Sequence, residues 1–420
     1  MTPVRKQMPS TRSSPDLPAL LERKARRRRR RLITVQTLLL VLITLVWAYQ
    51  TDVRANLEKR EAAEISVNVH GEPADPAHDS SAVVFFDGFG TYDADHLSDT
   101  LAAGYKEILD GETWSVSYGN APLASERIGE LILDLAHERG VTDLALVGYS
   151  MGGIIDLEVA AYLAGSPEVT VRNITLVSTP DGLDGLRPHQ KKELEFAQTF
   201  ARVPGAQYST FLRFIGEVYF MRDRYSDGDL GTRASNFVEV LGIAKDYVGR
   251  PRLPGTWLLV DQAFAIANAD LDGALRTIAE ESRMVEPLPT VLYLGTAPPG
   301  RDYMVNDEVS SKRICRYAAL YGISCEIRDV PGAVHTMPER TADAYRATFG
   351  ELRPSAQLDM EQAELMHELR TGGDGEGLRS LEQLGFEPPE ISEGEIPGEV
   401  QEGASGALDP ERAEHAEAGS

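Results

Sequence analysis

An α/β architecture with a mostly parallel sheet, covered by helices on both faces, is what this sequence predicts. Three observations carry that prediction. Between Ser81 and Phe349, short apolar runs alternate with stretches of helical period. One such run, Leu144–Val147, passes through Gly148-Tyr149-Ser150-Met151-Gly152 directly into an apolar helical stretch. The alternation then pauses over residues 181–287, which read as helical, and resumes before the chain turns acidic. Strands in step with helices call for crossover connections, parallel pairing and burial of both sheet faces.

Taken in order, the expected strands are Val83–Phe86, Trp114–Tyr118, Leu144–Val147, Val169–Val177, Thr290–Leu294 and Ser324–Val330, with Ile65–His70 as an additional candidate. The expected helices are Asp93–Leu109, Ala124–Arg139, Met151–Leu163, one around Ser310–Leu320, and Glu339–Phe349. In the second of these, Ile128, Leu131, Ile132 and Leu135 fall on one face. The interruption at 181–287 is too long for a plain loop. Its helical candidates are Leu194–Ala201, Phe211–Phe220, Phe237–Val248 and a single long Trp257–Ile278. Residues 351–420 are expected to be an acidic, mostly disordered tail, with Gln357–Leu369 as a possible amphipathic helix. No internal repeat is visible.

The chain has 420 residues, 42% of them hydrophobic, which is ample for a core. Its formal charge of -23 is unevenly spread. Residues 1–31 carry eleven Lys or Arg against Asp16 and Glu22, a net of +9, so the remainder carries -32. So acidic a body repels phosphate backbones and argues against nucleic-acid binding. Residues 1–31 are expected to be a basic, disordered, cytoplasmic segment. Arg26–Arg31 abut Leu32–Tyr49, a run without charge. As a helix at about 1.5 Å per residue it spans about 27 Å, close to the roughly 30 Å of a hydrocarbon core. Trp47 and Tyr49 sit at its far end, where amphipathic rings favour the interface. Residues 32–49 therefore read as a single transmembrane helix, with the arginines on the cytoplasmic side and the rest of the chain beyond the membrane. A cleaved signal peptide is the alternative, with Val46-Trp47-Ala48 as a loose small-x-small site, although the run exceeds the usual h-region of about 7–15 residues. Residues 50–80 then form a connector to a main domain over 81–350.

The pentapeptide around Ser150 is G-x-S-x-G in a strand–turn–helix setting. A serine there sits on a tight, strained turn with its hydroxyl projecting from the sheet. Side chains at Gly148 and Gly152 would collide across such a turn. The helix that starts at Met151 points unpaired N–H groups toward any oxyanion forming at Ser150. An ordinary serine in a glycine-rich turn is the bland alternative, and the fitting context counts against it.

The stretch LALVGYSMGG resembles the elbow of the α/β-hydrolase superfamily, in its lipase and esterase branches. The resemblance extends over about residues 81–350 by order of elements and covers neither end. It implies Ser150 as nucleophile, the Met151 N–H as first oxyanion donor, and a second donor from the loop after an early strand. Here that loop is Phe86-Asp87-Gly88-Phe89-Gly90, which makes the Phe89 N–H the candidate; Asp87-Gly88 stands where the family often has His-Gly. The base position, in the loop after the last strand, falls on His335. The other seven histidines lie in helices, the connector, the 181–287 insertion or the tail region. The acid position, after Thr290–Leu294, offers Asp302, in Asp302-Tyr303-Met304-Val305, with Asp307 as the alternative. The order Ser, Asp, His matches the fold family. The insertion resembles a lid, and its aromatic residues Phe196, Phe200, Phe211, Phe214, Tyr219, Phe220 and Phe237 are candidates to line an acyl pocket, or simply to pack.

The expected activity is hydrolysis of carboxylic esters, lipid esters included, with no metal or organic cofactor. Acyl transfer on the same fold and a catalytically silent, membrane-anchored binding module are the rivals. Cys315 and Cys325 pair if the domain faces an oxidising compartment, or remain two thiols. The sequon Asn173-Ile174-Thr175 falls within an expected strand and carries little weight.

Overall fold

The computed structural model describes residues 17–226, 229–249, 253–282, 287–297, 302–335 and 338–371. Residues 1–16 and 372–420, read above as parts of disordered termini, lie outside that set. Contacts divide the chain at Glu368, and of the second unit only the end of the last helix is described.

Seven strands form one sheet. They are β1 (Ser66–Gly71), β2 (Ser81–Phe86), β3 (Glu112–Ser117), β4 (Asp143–Tyr149), β5 (Thr170–Val177), β6 (Thr290–Ala297) and β7 (Cys325–Pro331). Their order is β1-β3-β2-β4-β5-β6-β7. All neighbours run parallel except the edge pair β1–β3. The core strands β2 and β3 are buried along their whole length, as strands covered on both faces must be.

Helices α1 (Leu17–Glu61), α2 (Asp95–Tyr105), α3 (Ser125–Arg139) and α4 (Met151–Leu163) come before β5 or flank it. The helical insertion holds α5 (Pro188–Ala201), α6 (Thr210–Phe220), α7 (Asp223–Ser226), α8 (Leu230–Gly249), α9 (Thr256–Ala267) and α10 (Leu271–Ser282). Helices α11 (Asp307–Leu320) and α12 (Ala342–Thr371) complete the chain. Two apolar clusters sandwich the sheet. One gathers α3, α4, α9 and α10 around Trp114, Tyr118 and Tyr293; the other gathers α2 and α12 around Phe85, Tyr105 and Phe349. This is the architecture of the α/β-hydrolase fold, with a helical cap and one N-terminal apolar helix.

Three local readings change, and one open choice is settled. The apolar helix extends past both ends of 32–49: α1 begins at Leu17, inside the segment expected to be disordered, and continues through much of the expected connector to Glu61, and it is long and apolar enough to cross a membrane. The stretch Arg54–Glu61 has no apolar stripe, but it is built of good helix formers. The single helix expected over Trp257–Ile278 is two, because Asp270 caps a new start by accepting the Gly273 N–H at 2.9 Å. The expected break after Phe349 is absent. Helix α12 runs through Pro354, held by Phe349, Leu352 and Ala356, all buried against the second cluster. An interior proline costs a helix about 3 kcal/mol, which tertiary packing on both sides of it offsets here. The helix offered for Gln357–Leu369 is thus the later part of α12, which also takes in 351–356. Finally, Cys315 on α11 is disulfide-bonded to Cys325 at the start of β7.

Candidate active site

The residues singled out in the sequence converge at the carboxyl ends of the parallel strands, the usual place for a ligand in such a sheet. Asp87 to Phe89 follow β2, Ser150 follows β4, Asp302 lies beyond β6, and His335 lies beyond β7.

Ser150 has φ 53 and ψ -121, a left-handed region that non-glycine residues rarely occupy. Its N–H donates to the Val177 carbonyl at 2.8 Å, which locks the turn to β5. The flanking glycines are steric necessities. A Cβ on Gly148 would strike the backbone of Gly152 and Gly153, and one on Gly152 would strike the Phe86 and Asp87 carbonyls. Helix α4 then begins at Met151, whose N–H belongs to the first helical turn and has no intrahelical acceptor.

Three side chains form one hydrogen-bonded line. His335 Nε2 lies 3.0 Å from Ser150 Oγ. His335 Nδ1 lies 2.6 Å from Asp302 Oδ2. All three residues are buried, and the ring of Tyr149 sits 5.5 Å from the imidazole. The other oxygen of Asp302 accepts the Met304 and Val305 N–H groups at 2.7 and 2.9 Å, which fixes the carboxylate's orientation. Its backbone carbonyl accepts from Arg187 Nε at 3.0 Å, and the Arg187 N–H donates to the Met304 carbonyl at 2.8 Å. The base of the cap thus clamps the loop that presents Asp302.

Asp307 does not meet the imidazole. It opens α11 and accepts from Tyr293 Oη, Thr296 N and Thr296 Oγ1, each at 2.9 Å. Burial raises its pKa, and those donors oppose the shift. Its bonds tie α11 to β6.

The loop after β2 comes against the elbow from the other side. Gly88 is so close that a Cβ there would lie 3.1 Å from Ser150 Cβ. Tyr118 Oη donates to the Asp87 carbonyl at 2.8 Å, and Thr91 Oγ1 donates to the Gly88 carbonyl at 2.7 Å. Buried Gln262 on α9 accepts the Gly90 N–H at 2.9 Å and donates to the Thr91 carbonyl at 3.0 Å. Asp87 Oδ1 accepts the Gly88 N–H at 2.6 Å. Burial pushes the Asp87 carboxyl up to about 7, against the pull of that N–H and of His96.

A cavity of about 200 Å³ opens over these groups, lined by Asp87, Phe89, His96, Ser150, His335 and Glu339 among others. A second cavity of about 250 Å³ lies within the cap between α5, α6 and α9. Phe89 lines both. Of the aromatic residues expected to line an acyl pocket, Phe200 lines the second cavity, whereas Phe211, Tyr219 and Phe237 are exposed. The side chains of Phe196 and Phe220 lie outside the described residues.

Arg187, Gln262, His96 and Glu339 were not marked by sequence reasoning. Each is an ordinary polar residue on a helix or loop, and only the tertiary fold brings it to the site. Among the described residues, no group of three His, Cys, Asp or Glu side chains is arranged to hold a metal ion. A buried hydroxyl, imidazole and carboxylate in this order can pass a proton from oxygen to nitrogen and hold the resulting imidazolium.

No protein-family model matches the sequence, and no curated protein matches it either. Among solved structures, a carboxylesterase of Nitrososphaera gargenis aligns with 70% of this chain and 96% of its own, at 14% identity and a TM-score of 0.41. A monoacylglycerol lipase of Paleococcus ferrophilus aligns with 69% of this chain and 99% of its own, at 15% identity and 0.40. The acetyl esterase MekB aligns with 69% of this chain and 90% of its own, at 14% identity and 0.45. The fold is defined by the strand order and the elbow, and similarities this distant assign no activity.

Proposed function

We propose that this chain is a membrane-anchored serine hydrolase that cleaves carboxylic esters through an acyl-enzyme on Ser150. The observation that carries the reading is the line Ser150 Oγ, His335, Asp302, with spacings of 3.0 and 2.6 Å, on a strained strand-to-helix turn.

In this reading His335 takes the Ser150 proton as the oxygen attacks the ester carbonyl. Asp302 holds the proton on Nδ1 and stabilises the imidazolium without itself becoming protonated. The N–H groups of Met151 and Phe89 receive the oxyanion of the tetrahedral intermediate. His335 then gives its proton to the departing alcohol. In the second half it takes a proton from water as the water attacks the acyl-enzyme, then gives that proton to Ser150 Oγ as the acyl–oxygen bond breaks and the acid leaves. The apolar cavity beyond Phe89 suits the acyl group.

Helix α1 is the anchor, with Arg26–Arg31 on the cytoplasmic side and the hydrolase domain on the other. The Cys315–Cys325 disulfide supports that side, since such bonds persist in oxidising compartments.

The test is covalent labelling by a fluorophosphonate, with acid release from a p-nitrophenyl ester followed in parallel. Wild type is expected to label and turn over, and Ser150→Ala to do neither. Equal labelling of the two proteins, or undiminished turnover by Ser150→Ala, overturns the proposal.

A further inference from the structure

We infer that the outer face of α6 rests on the lipid surface beside α1, so that the cap cavity receives its esters from the bilayer rather than from bulk water. The inference deepens the membrane-anchored reading above and rests on it.

The first observation is the way α1 leaves its apolar run. Tyr49 ends that run, two residues and about 3 Å along the axis beyond Trp47. Tyr49 Oη donates to the Pro204 carbonyl at 2.6 Å. One turn further, Val53 packs against Gly205, so that a Cβ on Gly205 would approach it to 3.1 Å. Next, Asn56 Nδ2 donates to the Tyr208 carbonyl at 2.7 Å and to Thr210 Oγ1 at 2.9 Å. Last, Arg60 pairs with Asp261 on α9 at 3.0 Å, its guanidinium 5.7 Å from the Tyr208 ring centroid. These contacts climb α1 in step with the cap. The turn before α6 thus starts level with the end of the apolar run at Pro204, and α6 itself starts at the level of Asn56, about 10 Å further along the axis.

The second observation is the polarity of α6. Leu212, Arg213, Gly216 and Glu217 face the cap cavity. Phe211 and Ile215, on another face, are 64% and 46% exposed, and Tyr219 continues their row. Val203, beside Pro204, is 51% exposed. A helix facing water alone would show its polar side outward. Here charged residues turn inward and large apolar ones outward, next to the membrane exit of α1. A lipid interface solvates such a face at the depth where α1 already holds it. With one side of α6 on lipid and the other on the cavity, an ester has a short apolar path from the bilayer to Phe89.

The test uses the full chain in phosphatidylcholine vesicles. An NBD fluorophore is placed at Ile215→Cys and, as a control, at Leu320→Cys, an exposed site on α11. The inference expects blue-shifted emission at 215, quenched by doxyl-labelled lipid at every protein-to-lipid ratio, and water-like emission at 320. Water-like emission at 215 overturns it. So does shielding at 215 that fades as protein is diluted in lipid, since a second copy would then be the cover. Turnover is the second arm. Phe211→Ser with Ile215→Ser is expected to lower hydrolysis of a bilayer-resident long-chain ester about tenfold, while a short soluble ester stays within about twofold. Equal turnover of the long ester overturns the inference. The fluorescence arm needs no catalysis, so it still reads out in Ser150→Ala; loss of fluorophosphonate labelling in wild type would sink the hydrolase reading alone.

Discussion

Around Ser150 the chain is held from several sides: the elbow is locked to β5, Gly88 is pressed against the serine, and the Asp302 carboxylate is filled by two N–H groups and the imidazole. The cap is put together differently. Its helices enclose a cavity, show large apolar residues outward, and lean on α1 through a few polar contacts. The contrast teaches a division of labour. Chemistry needs atoms held to fractions of an ångström and sits where the sheet over-determines the backbone. Selection of an apolar substrate, the role proposed for the cap, would need only a greasy enclosure with a way in, and looser packing would suffice.

The largest expected effect tests the rigid half. Asp302→Asn should lower kcat on a short ester by about 10⁴-fold, since the amide holds the imidazole in the wrong tautomer. Asp307→Asn should keep kcat within about tenfold and lower the melting temperature instead, because its partners are structural. Similar losses of kcat in both variants would break the distinction between the two carboxylates.

An intermediate effect tests the cap. Arg60→Ala leaves Asp261 partly buried without its cation and removes the guanidinium from the Tyr208 ring. Losing a charged hydrogen bond of this kind costs about 1–3 kcal/mol. Turnover of a bilayer-resident ester should fall several-fold while the short soluble ester is unaffected. Equal loss on both substrates would mean that the cap and the core are not separable.

The smallest effect lies at the seam between them. The Asp87 carboxyl is raised from 3.8 to about 7, so the folded protein keeps a proton that the unfolded chain has already lost. The resulting stabilisation is complete below about pH 4 and is lost as pH rises through about 7. Asp87→Asn lacks that loss. Its melting temperature relative to wild type should therefore climb between about pH 5 and pH 8, as read by parallel thermal melts. A constant difference across that range would show Asp87 to be ionised throughout.

The rigid half was also the half that could be read in the sequence. Apolar strands in register with helices, and two glycines that tolerate no Cβ around a serine, leave local marks. The choice between Asp302 and Asp307 left only a faint one, the Asp-x-x-Val pattern at 302–305. The two lie five residues apart, and what separates their roles is that Asp307 opens α11. The length of α1 escaped a reading by hydrophobic pattern, because Arg54–Glu61 is helical by propensity and by its contacts with the cap. Helix α12 passes Pro354 for a reason that lies in the core and not in the neighbouring residues. The outward-facing Phe211 and Tyr219 were expected to turn inward, since periodicity finds a face without saying what it looks at. Arg187 and Gln262 act across more than a hundred residues of chain, beyond the range of any spacing rule.

Helix α1 carries no break between Leu32 and Glu61. A flexible leash would let its enzyme wander through a hemisphere of solution. In the anchored state proposed above, an unbroken rod gripped along its upper turns would behave as a mast, fixing both the height of the serine and the direction in which the crevice looks. With the chain seated as proposed, its search for substrate is two-dimensional. Encounter rates would then follow the surface density of esters in the leaflet rather than their concentration in the surrounding fluid.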